Sequence, residues 1–407
     1  MTTKQVTVLL LVVVLLLTPV LVSCIPGGVQ AARGWAGTAF HDGIVYAGTG
    51  DGRVVAIDVA TRSHSWYYPT TVPSGGGMSC GPAAAPAAIY TTPLVDGDLV
   101  YVGTYSGRVM ALNTVARSQG LHFPQRGHGE WEWDCPKNDA ASNAIVADLR
   151  MRADAIYVSS SNGRVYSLDK SFGDLIWESE VLDRKHGKLW TSPWVEDETV
   201  YVSTLDGHIY ALSTETGQLR TEPPFAGWPF RSETGFASSP VLDNGIVYVG
   251  SFGNNLHAIV VGESELLWEF AGDKWFWADP LVSEGIVYAG CLDGRLYAVR
   301  AETGEELWHF ETMDAKGRRV PIVSSPVMMG GLLVVVDEAG TVYVFDPAED
   351  LASKGEPWRV ISIGADVRSS FCAHEGVVYI RGEDNWLYAV DIDSGEVSWR
   401  LSLTAEA

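Results

Sequence analysis

The chain is poor in positive charge. It has 28 Lys and Arg residues against 50 Asp and Glu residues, which gives a formal net charge of −22 at pH 7. So acidic a surface repels phosphate backbones, and we therefore expect no nucleic-acid partner. Charged residues of both signs make up only 19% of the 407 residues, whereas 46% are hydrophobic. This composition excludes an intrinsically disordered chain and supplies a large core.

Several motifs typical of enzymes are missing. The five cysteines include no adjacent pair, and the sequence has no Cys-x-x-Cys-His haem motif. It also has no P-loop, zinc motif, dinucleotide fingerprint or nucleophile elbow. We therefore predict a non-enzymatic protein and assign no catalytic, cofactor-binding or metal-binding residue.

The longest hydrophobic run stands at the N-terminus. Lys4 precedes the run, which ends in Leu21-Val22-Ser23-Cys24. A basic start, an apolar centre and small residues before a cleavage point are typical of a signal peptide. The last four residues resemble the lipobox of bacterial lipoproteins, which implies removal of residues 1–23 and acylation of Cys24. Residues 24–33 are then a flexible tether, and an uncleaved transmembrane anchor is the alternative because 6–23 is long enough to span.

The rest of the chain repeats itself. GIVYAGCLDGRLYAV at 285–299 restates GIVYAGTGDGRVVAI at 43–57, and eight segments follow this pattern at spacings of 40 to 56 residues. A hydrophobic residue marks the same place in each one: Tyr46, Tyr101, Tyr157, Tyr201, Tyr248, Tyr288, Val334 and Tyr379. Repeats of this length indicate one ring or array of stacked units.

Each repeat encodes four short antiparallel strands. Its β-rich runs are separated by turn dipeptides such as Asp51-Gly52 and Asp96-Gly97, which take positive φ at little cost. We therefore predict an all-β fold, an eight-bladed β-propeller over residues 34–403. No strand precedes the first repeat and the eighth has its own last strand, so we expect eight self-contained blades.

A tryptophan is predicted to close most blades. Trp66, Trp177, Trp268, Trp308, Trp358 and Trp399 occupy this place, and Leu121 and Thr221 replace it in the second and fourth repeats. This alignment puts two insertions, 69–87 and 124–140, after the fourth strands of the first two blades. Both are then expected on one face of the ring.

The repeats resemble those of the pyrroloquinoline-quinone-like eight-bladed propellers, in phrases such as SSPVLDNGIVYVGS and GRLYAVRAETGEELW. That family includes quinoprotein alcohol dehydrogenases and the BamB-type lipoproteins of β-barrel assembly. The first branch implies a quinone cofactor with calcium, although its paired cysteines are missing here. The second implies a lipid-anchored scaffold with protein partners, such as barrel-assembly proteins, at an outer membrane facing the periplasm, or at the cell surface of a single-membrane organism. Binding of a glycan or peptide by a surface sensor is a further alternative.

The cysteines divide into two groups. Cys80 and Cys135 lie in the two insertions, and in an exported chain we predict a disulfide between them. Cys291 and Cys372 are a whole blade apart, so we expect buried free thiols.

The sequence offers two candidate surfaces. If residues 128–134 are extended, His128, Glu130, Glu132 and Asp134 form an acidic row, which we interpret as loop surface rather than as a metal site. The second surface is aromatic. Equivalent positions at the start of the first strands, together with nearby connections, predict a binding rim around one mouth of the central channel, made of Trp35, Tyr90, Trp131, Trp133, Trp190, Trp228, Trp275 and Trp277.

Overall fold

The computed structural model describes residues 36–68, 87–114, 131–136, 143–183, 188–347 and 355–404. These residues form eight antiparallel sheets of four strands each, arranged as the blades of a β-propeller. In every sheet the four strands are consecutive in the chain. The predicted fold class is confirmed.

Blades 1 to 4 contain the following strands: β1 (Thr38–His41), β2 (Ile44–Gly48), β3 (Val54–Asp58) and β4 (Ser63–Tyr68); β5 (Leu94–Asp96), β6 (Leu99–Gly103), β7 (Arg108–Asn113) and β8 (Trp131–Asp134); β9 (Arg150–Arg152), β10 (Ala155–Ser159), β11 (Val165–Asp169) and β12 (Leu175–Glu178); β13 (Trp194–Glu196), β14 (Thr199–Ser203), β15 (His208–Ser213) and β16 (Phe230–Arg231).

Blades 5 to 8 follow in the same order: β17 (Val241–Asp243), β18 (Ile246–Gly250), β19 (Asn255–Val260) and β20 (Glu265–Ala271); β21 (Leu281–Ser283), β22 (Ile286–Gly290), β23 (Arg295–Arg300) and β24 (Glu306–Glu311); β25 (Val327–Met329), β26 (Leu332–Val336), β27 (Thr341–Phe345) and β28 (Arg359–Ser362); β29 (Cys372–His374), β30 (Val377–Arg381), β31 (Trp386–Asp391) and β32 (Glu396–Ser402).

The hydrophobic core lies between the blades. The second and third strands of each blade are buried on both faces, because a neighbouring blade covers each side. Eight clusters of buried side chains result, and each draws on two adjacent blades. No blade could bury its two apolar faces alone, so the repeats form a ring.

Tryptophans at one position fix each blade to the next. Trp268 stands opposite Ala258 of the third strand, and its Nε1 donates to the carbonyl of Ala301 in the following blade at 2.8 Å. Gly304 lies against the indole with a φ of +72°, where a Cβ would approach the ring to 2.8 Å. Trp66, Trp177, Trp308 and Trp399 occupy the equivalent position, as predicted.

Three blades differ from the prediction. Trp131, not Leu121, faces Ala111 in blade 2 and donates to the Lys170 carbonyl at 2.8 Å. In blade 4 Trp228 has this role and donates to the Val261 carbonyl at 3.0 Å. The prediction that Thr221 occupies this position was therefore wrong. Both errors arose because the alignment counted a fixed number of residues past the third strand.

Blade 7 has no tryptophan at this position. Arg359 faces Val344 there, and Trp358 lies one residue earlier with 44% of its surface exposed. The Arg359 side chain lies 3.6 Å from where a Cβ on Gly395 of blade 8 would be, and its Nη2 contacts the Asp393 carbonyl at 3.5 Å. An arginine therefore replaces the indole at this junction.

The two insertions occupy different places in the order of the strands. Antiparallel order puts the turns between second and third strands, and the blade-to-blade connections, at one end of the strands. Residues 69–86 belong to such a connection, since they join β4 to β5. Residues 115–130 instead precede β8, at the end where third strands turn into fourth strands. The second predicted insertion, 124–140, therefore does not lie wholly after a fourth strand, because β8 (Trp131–Asp134) falls within it.

The ring closes where blade 8 meets blade 1. Thr38 Oγ1 donates to the Tyr379 carbonyl at 2.7 Å and accepts from the Cys372 amide at 3.0 Å. Leu387 and Leu403 pack against Val45 and Ile57 in a shared cluster. Within the described chain no strand is exchanged across this seam, so the expectation of self-contained blades is confirmed there.

Candidate functional site

A funnel opens at the centre of the ring. It encloses a cavity of about 400 Å³, lined by residues of blades 2, 3, 4, 6, 7 and 8. Tyr105 and Ser161, from turns between second and third strands, belong to the lining and place the cavity on that face. Most other lining residues come from the segments that lead into the first strands, so one repeated position surrounds the axis.

The wall of the funnel is aromatic. The rings of Tyr90 and Tyr105 lie with centroids 5.2 Å apart. Trp190 is 45% exposed, and Lys188 Nζ lies 5.4 Å from its ring centroid. Trp277 completes the wall from blade 6. Large flat apolar surfaces open to solvent are typical of binding sites.

The predicted rim is therefore smaller than expected. Tyr90, Trp190 and Trp277 reach the cavity, whereas Trp275 is 43% exposed but packs edge-on against Phe252 outside the lining. Trp35 lies outside the described residues.

Three other members do not belong to the rim. Trp131 and Trp228 are only 4% and 6% exposed because they hold blades together. Trp133 packs against Tyr166, with ring centroids 5.0 Å apart. The sequence could not separate blade tryptophans from rim tryptophans once insertions had shifted the alignment.

A hydrogen-bonded girdle forms the floor of the funnel. It uses the residue that precedes the proline position in blades 2 to 7, and from blade 3 onward each member's side chain accepts from the backbone amide of the member before it. The bonds are Thr92 N to Asp148 Oδ1 (2.6 Å), Asp148 N to Ser192 Oγ (2.9 Å), Ser192 N to Ser239 Oγ (2.9 Å), Ser239 N to Asp279 Oδ1 (2.7 Å) and Asp279 N to Ser325 Oγ (3.1 Å).

Two girdle members are acidic, and the sequence analysis missed them. Asp148 and Asp279 stand where other repeats have Ser192, Ser239 and Ser325, and both line the cavity. The signal was present in the sequence. Trp277-Ala278-Asp279-Pro280 departs from Trp190-Thr191-Ser192-Pro193 in placing a carboxylate beside an otherwise neutral motif.

The Asp279 carboxyl titrates abnormally. Desolvation raises its pKa above the ordinary value of 3.8, although the Ser239 amide and the charge of Arg150 act in the opposite direction. A carboxyl whose pKa is raised by folding stabilises the protein below the unfolded pKa, and this contribution is lost as pH rises through the folded pKa.

We therefore expect Asp279→Ser to melt at a higher temperature than wild type at pH 7. The difference should shrink as pH falls, because protonation of the wild-type carboxyl removes the unfavourable buried charge. Thermal melts of both proteins between pH 4 and pH 8 test this. A difference that grows on acidification would contradict it. Exposed Asp154, replaced by serine, is the control.

The described cysteines are free thiols. Cys135 is 2% exposed and its Sγ lies 3.4 Å from Ser160 Oγ and from Asn162 Nδ2, so it points into the core between blades 2 and 3. This placement gives no support to a Cys80–Cys135 disulfide, and Cys80 lies outside the described residues. Cys291 and Cys372 are free as expected, and burial raises the pKa of each to about 12.

The acidic row at 128–134 is partly described. Residues 131–134 are extended, and Arg108 binds Glu132 at 3.0 Å and Asp134 at 2.8 Å. Both carboxylates therefore share one face and one basic partner, as alternation predicts. His128 and Glu130 lie outside the described residues.

A quinone cofactor bound with calcium would need several oxygen ligands in the funnel. Calcium takes six to eight oxygen ligands, several of them carboxylates. Among the described residues no three Asp, Glu, His or Cys side chains come together as a metal site, and the funnel contributes only Asp148 and Asp279. These residues do not fit a calcium-bound quinone.

In the part of the chain that the structure describes, no helix has the length and apolarity needed to cross a membrane. The predicted signal peptide, Cys24 and the tether 24–33 lie outside that part. They stay predictions.

The eight four-stranded blades around a central funnel define a pyrroloquinoline-quinone-like β-propeller. The chain belongs to the family described as "Outer membrane protein assembly factor BamB", whose profile matches residues 26–126, 124–220, 226–350 and 293–407. It superposes on BamB from Moraxella catarrhalis with a TM-score of 0.61 at 18% identity, covering 86% of this chain and 91% of that one. This likeness shows the fold.

Curated relatives of several kinds match parts of the chain. BamB of Kangiella koreensis is 21% identical over 37% of this chain and 33% of its own length. Quinoprotein ethanol dehydrogenase of Pseudomonas putida is 26% identical over 40% and 25%. Serine/threonine-protein kinase AfsK of Streptomyces griseus is 30% identical over 35% and 15%. The matches span a third or less of these relatives, which differ in activity while sharing the repeat.

Proposed function

We propose that the chain is a lipid-anchored, non-enzymatic propeller of the bacterial cell envelope that binds other proteins on its funnel face. The proposed role is a scaffold in assembly of outer-membrane β-barrel proteins. The family match supports the location and the role. The observation that carries partner binding is the open aromatic funnel, where Tyr105 and Trp190 are 49% and 45% exposed beside the cavity.

Rigid aromatic side chains are well suited to binding the surface of a partner protein. They bury much apolar area while losing little side-chain entropy, and such residues dominate the energy of many interfaces. Blades held by packing and by the girdle keep these rings in place before a partner arrives. Preorganisation of this kind lowers the entropic cost of binding.

Site-specific photo-crosslinking tests the proposal. A photoreactive amino acid replaces Tyr105 in the full chain, expressed in its own organism, and mass spectrometry identifies the adducts. We expect adducts with a barrel-assembly protein. The matched control is Phe172, which is 64% exposed in the turn between the third and fourth strands of blade 3, on the other face.

Equal adducts from both positions, or none from Tyr105, would contradict the proposed surface. Dye reduction with alcohols after addition of the quinone and calcium would contradict the non-enzymatic reading instead. A glycan that protects Tyr105 from crosslinking would favour the sensor alternative.

A further inference from the structure

The floor of the funnel carries more charge than its hydrogen bonds require. Asp148 and Asp279 each accept one backbone amide from the preceding girdle member. Ser192 and Ser325 do the same with a neutral hydroxyl, at 2.9 and 3.1 Å. The architecture of the ring therefore explains an acceptor at this position but not a negative charge.

The Asp279 charge is costly where it lies. Desolvation acts on the Asp279 carboxyl, and the Asp148 charge raises its pKa further. Arg150 offsets part of this effect from the first strand of blade 3. Within the described residues neither carboxylate forms an ion pair. Two carboxylates that line the same cavity favour binding of a cation there.

The aromatic walls of the funnel also attract cations. Tyr90, Trp190 and Trp277 line the same cavity as the two carboxylates. The face of an aromatic ring carries partial negative charge and attracts ammonium and guanidinium groups. Aromatic walls over an acidic floor therefore select an organic cation with an apolar stem.

We propose that the funnel binds one lysine or arginine side chain of the partner protein, with its charged group at Asp148 and Asp279 and its stem against the aromatic walls. This inference rests on the proposed function, because it names the group by which the partner is recognised. A cavity of about 400 Å³ accommodates a long side chain together with part of its neighbours.

Charged residues at the rim restrict which residues of the partner can flank the bound lysine or arginine. Lys188 lies over Trp190, and Arg368 pairs with Glu338 at 2.9 Å. The Glu338 carboxylate balances the Arg368 charge, so the Lys188 charge is the one that repels a second basic residue at the mouth. We therefore expect a single basic residue flanked by apolar or acidic ones, rather than a polybasic segment.

Calorimetric titration of the full chain with two short peptides tests the inference. Both have the sequence acetyl-Gly-Leu-X-Leu-Gly-amide, with X either arginine or its neutral analogue citrulline. We expect the arginine peptide to bind wild type at least tenfold more tightly. Asp148→Ser and Asp279→Ser should each reduce that preference, and the double variant should abolish it.

Matched variants separate charge from folding. Serine keeps the girdle acceptor that three other blades use, and Asp148→Asn is a second neutral variant if the serine melts early. Asp154→Ser removes an exposed carboxylate outside the funnel and should leave the preference unchanged. Equal binding of the two peptides, no binding of either, or a preference that survives in the double variant would each overturn the inference.

Other cations give distinct outcomes. Spermidine or calcium that binds more tightly than the arginine peptide, and depends on the same carboxylates, would overturn the choice of a protein side chain. Crosslinking of Tyr105 to a protein partner, combined with equal binding of the arginine and citrulline peptides, would overturn this inference and leave the proposed function standing. Absence of crosslinks from Tyr105, with the preference for the arginine peptide intact, would overturn the proposed scaffold role and leave the basic-side-chain site standing.

Discussion

Replacing Trp268 by alanine is expected to lower the free energy of unfolding by about 3 to 5 kcal/mol. The indole is 8% exposed, its Nε1 donates to the Ala301 carbonyl, and Gly304 packs on its face. Alanine leaves a cavity between blades 5 and 6 and removes one of the two side-chain hydrogen bonds to the Ala301 carbonyl, which still accepts from Tyr248 Oη at 3.2 Å. Urea unfolding followed by circular dichroism measures the change.

Trp358 is the matched control for this experiment. Sequence alignment gives both tryptophans the same role, but Trp358 is 44% exposed and its main aromatic contact is Arg359, 4.1 Å above the ring. Trp358→Ala should cost less than about 1 kcal/mol. Equal unfolding midpoints for the two variants would show that the blade position does not carry the stability.

Replacing Trp190 by alanine is expected to reduce capture of the partner protein at least tenfold, with little change in unfolding. The side chain is exposed at the funnel wall, so its removal takes away contact area without opening the core. The double variant Trp190→Ala and Trp277→Ala should abolish capture. Quantitative pull-down from solubilised membranes, beside a melting curve, measures both effects.

Trp358→Ala again provides the comparison, since Trp358 and Trp190 are exposed to almost the same extent at different places on the ring. Capture should be unchanged in this variant. If it falls as much as in Trp190→Ala, exposed tryptophan in general, rather than the funnel, explains the binding. If Trp190→Ala unfolds early, the side chain belongs to the core.

The ring was predictable because its signals are local and repeated. A tyrosine or valine in each second strand and a turn dipeptide on either side define the register without reference to any other blade. The tryptophan contacts were less predictable because they depend on the length of the turn before the fourth strand. An insertion there moved Trp131 ten residues from the expected Leu121 and hid its role.

The candidate site was predictable only in outline. Equivalent positions in a ring must surround its axis, which explains why Tyr90, Trp190 and Trp277 were found. The carboxylates of Asp148 and Asp279 were overlooked because a single acidic residue in a β-rich repeat is ordinarily a turn or surface residue. The sequence shows the replacement of a serine by Asp279, whereas the place of both carboxylates on the inside of the ring follows from the three-dimensional girdle. The burial of Cys135 was not indicated by the sequence either, because the residue directly follows β8, a strand that the alignment placed inside an insertion.

Because every blade holds its own four strands, the seam between blades 8 and 1 resembles the other junctions in kind. The chain passes once round the ring and returns to its first blade, joined there by side-chain packing and by hydrogen bonds of Thr38 and His64. Under tension applied to the two ends of the propeller, this seam is the only junction with no covalent connection across it. The ring would therefore open at that seam, and the blades would then unfold one after another from either end.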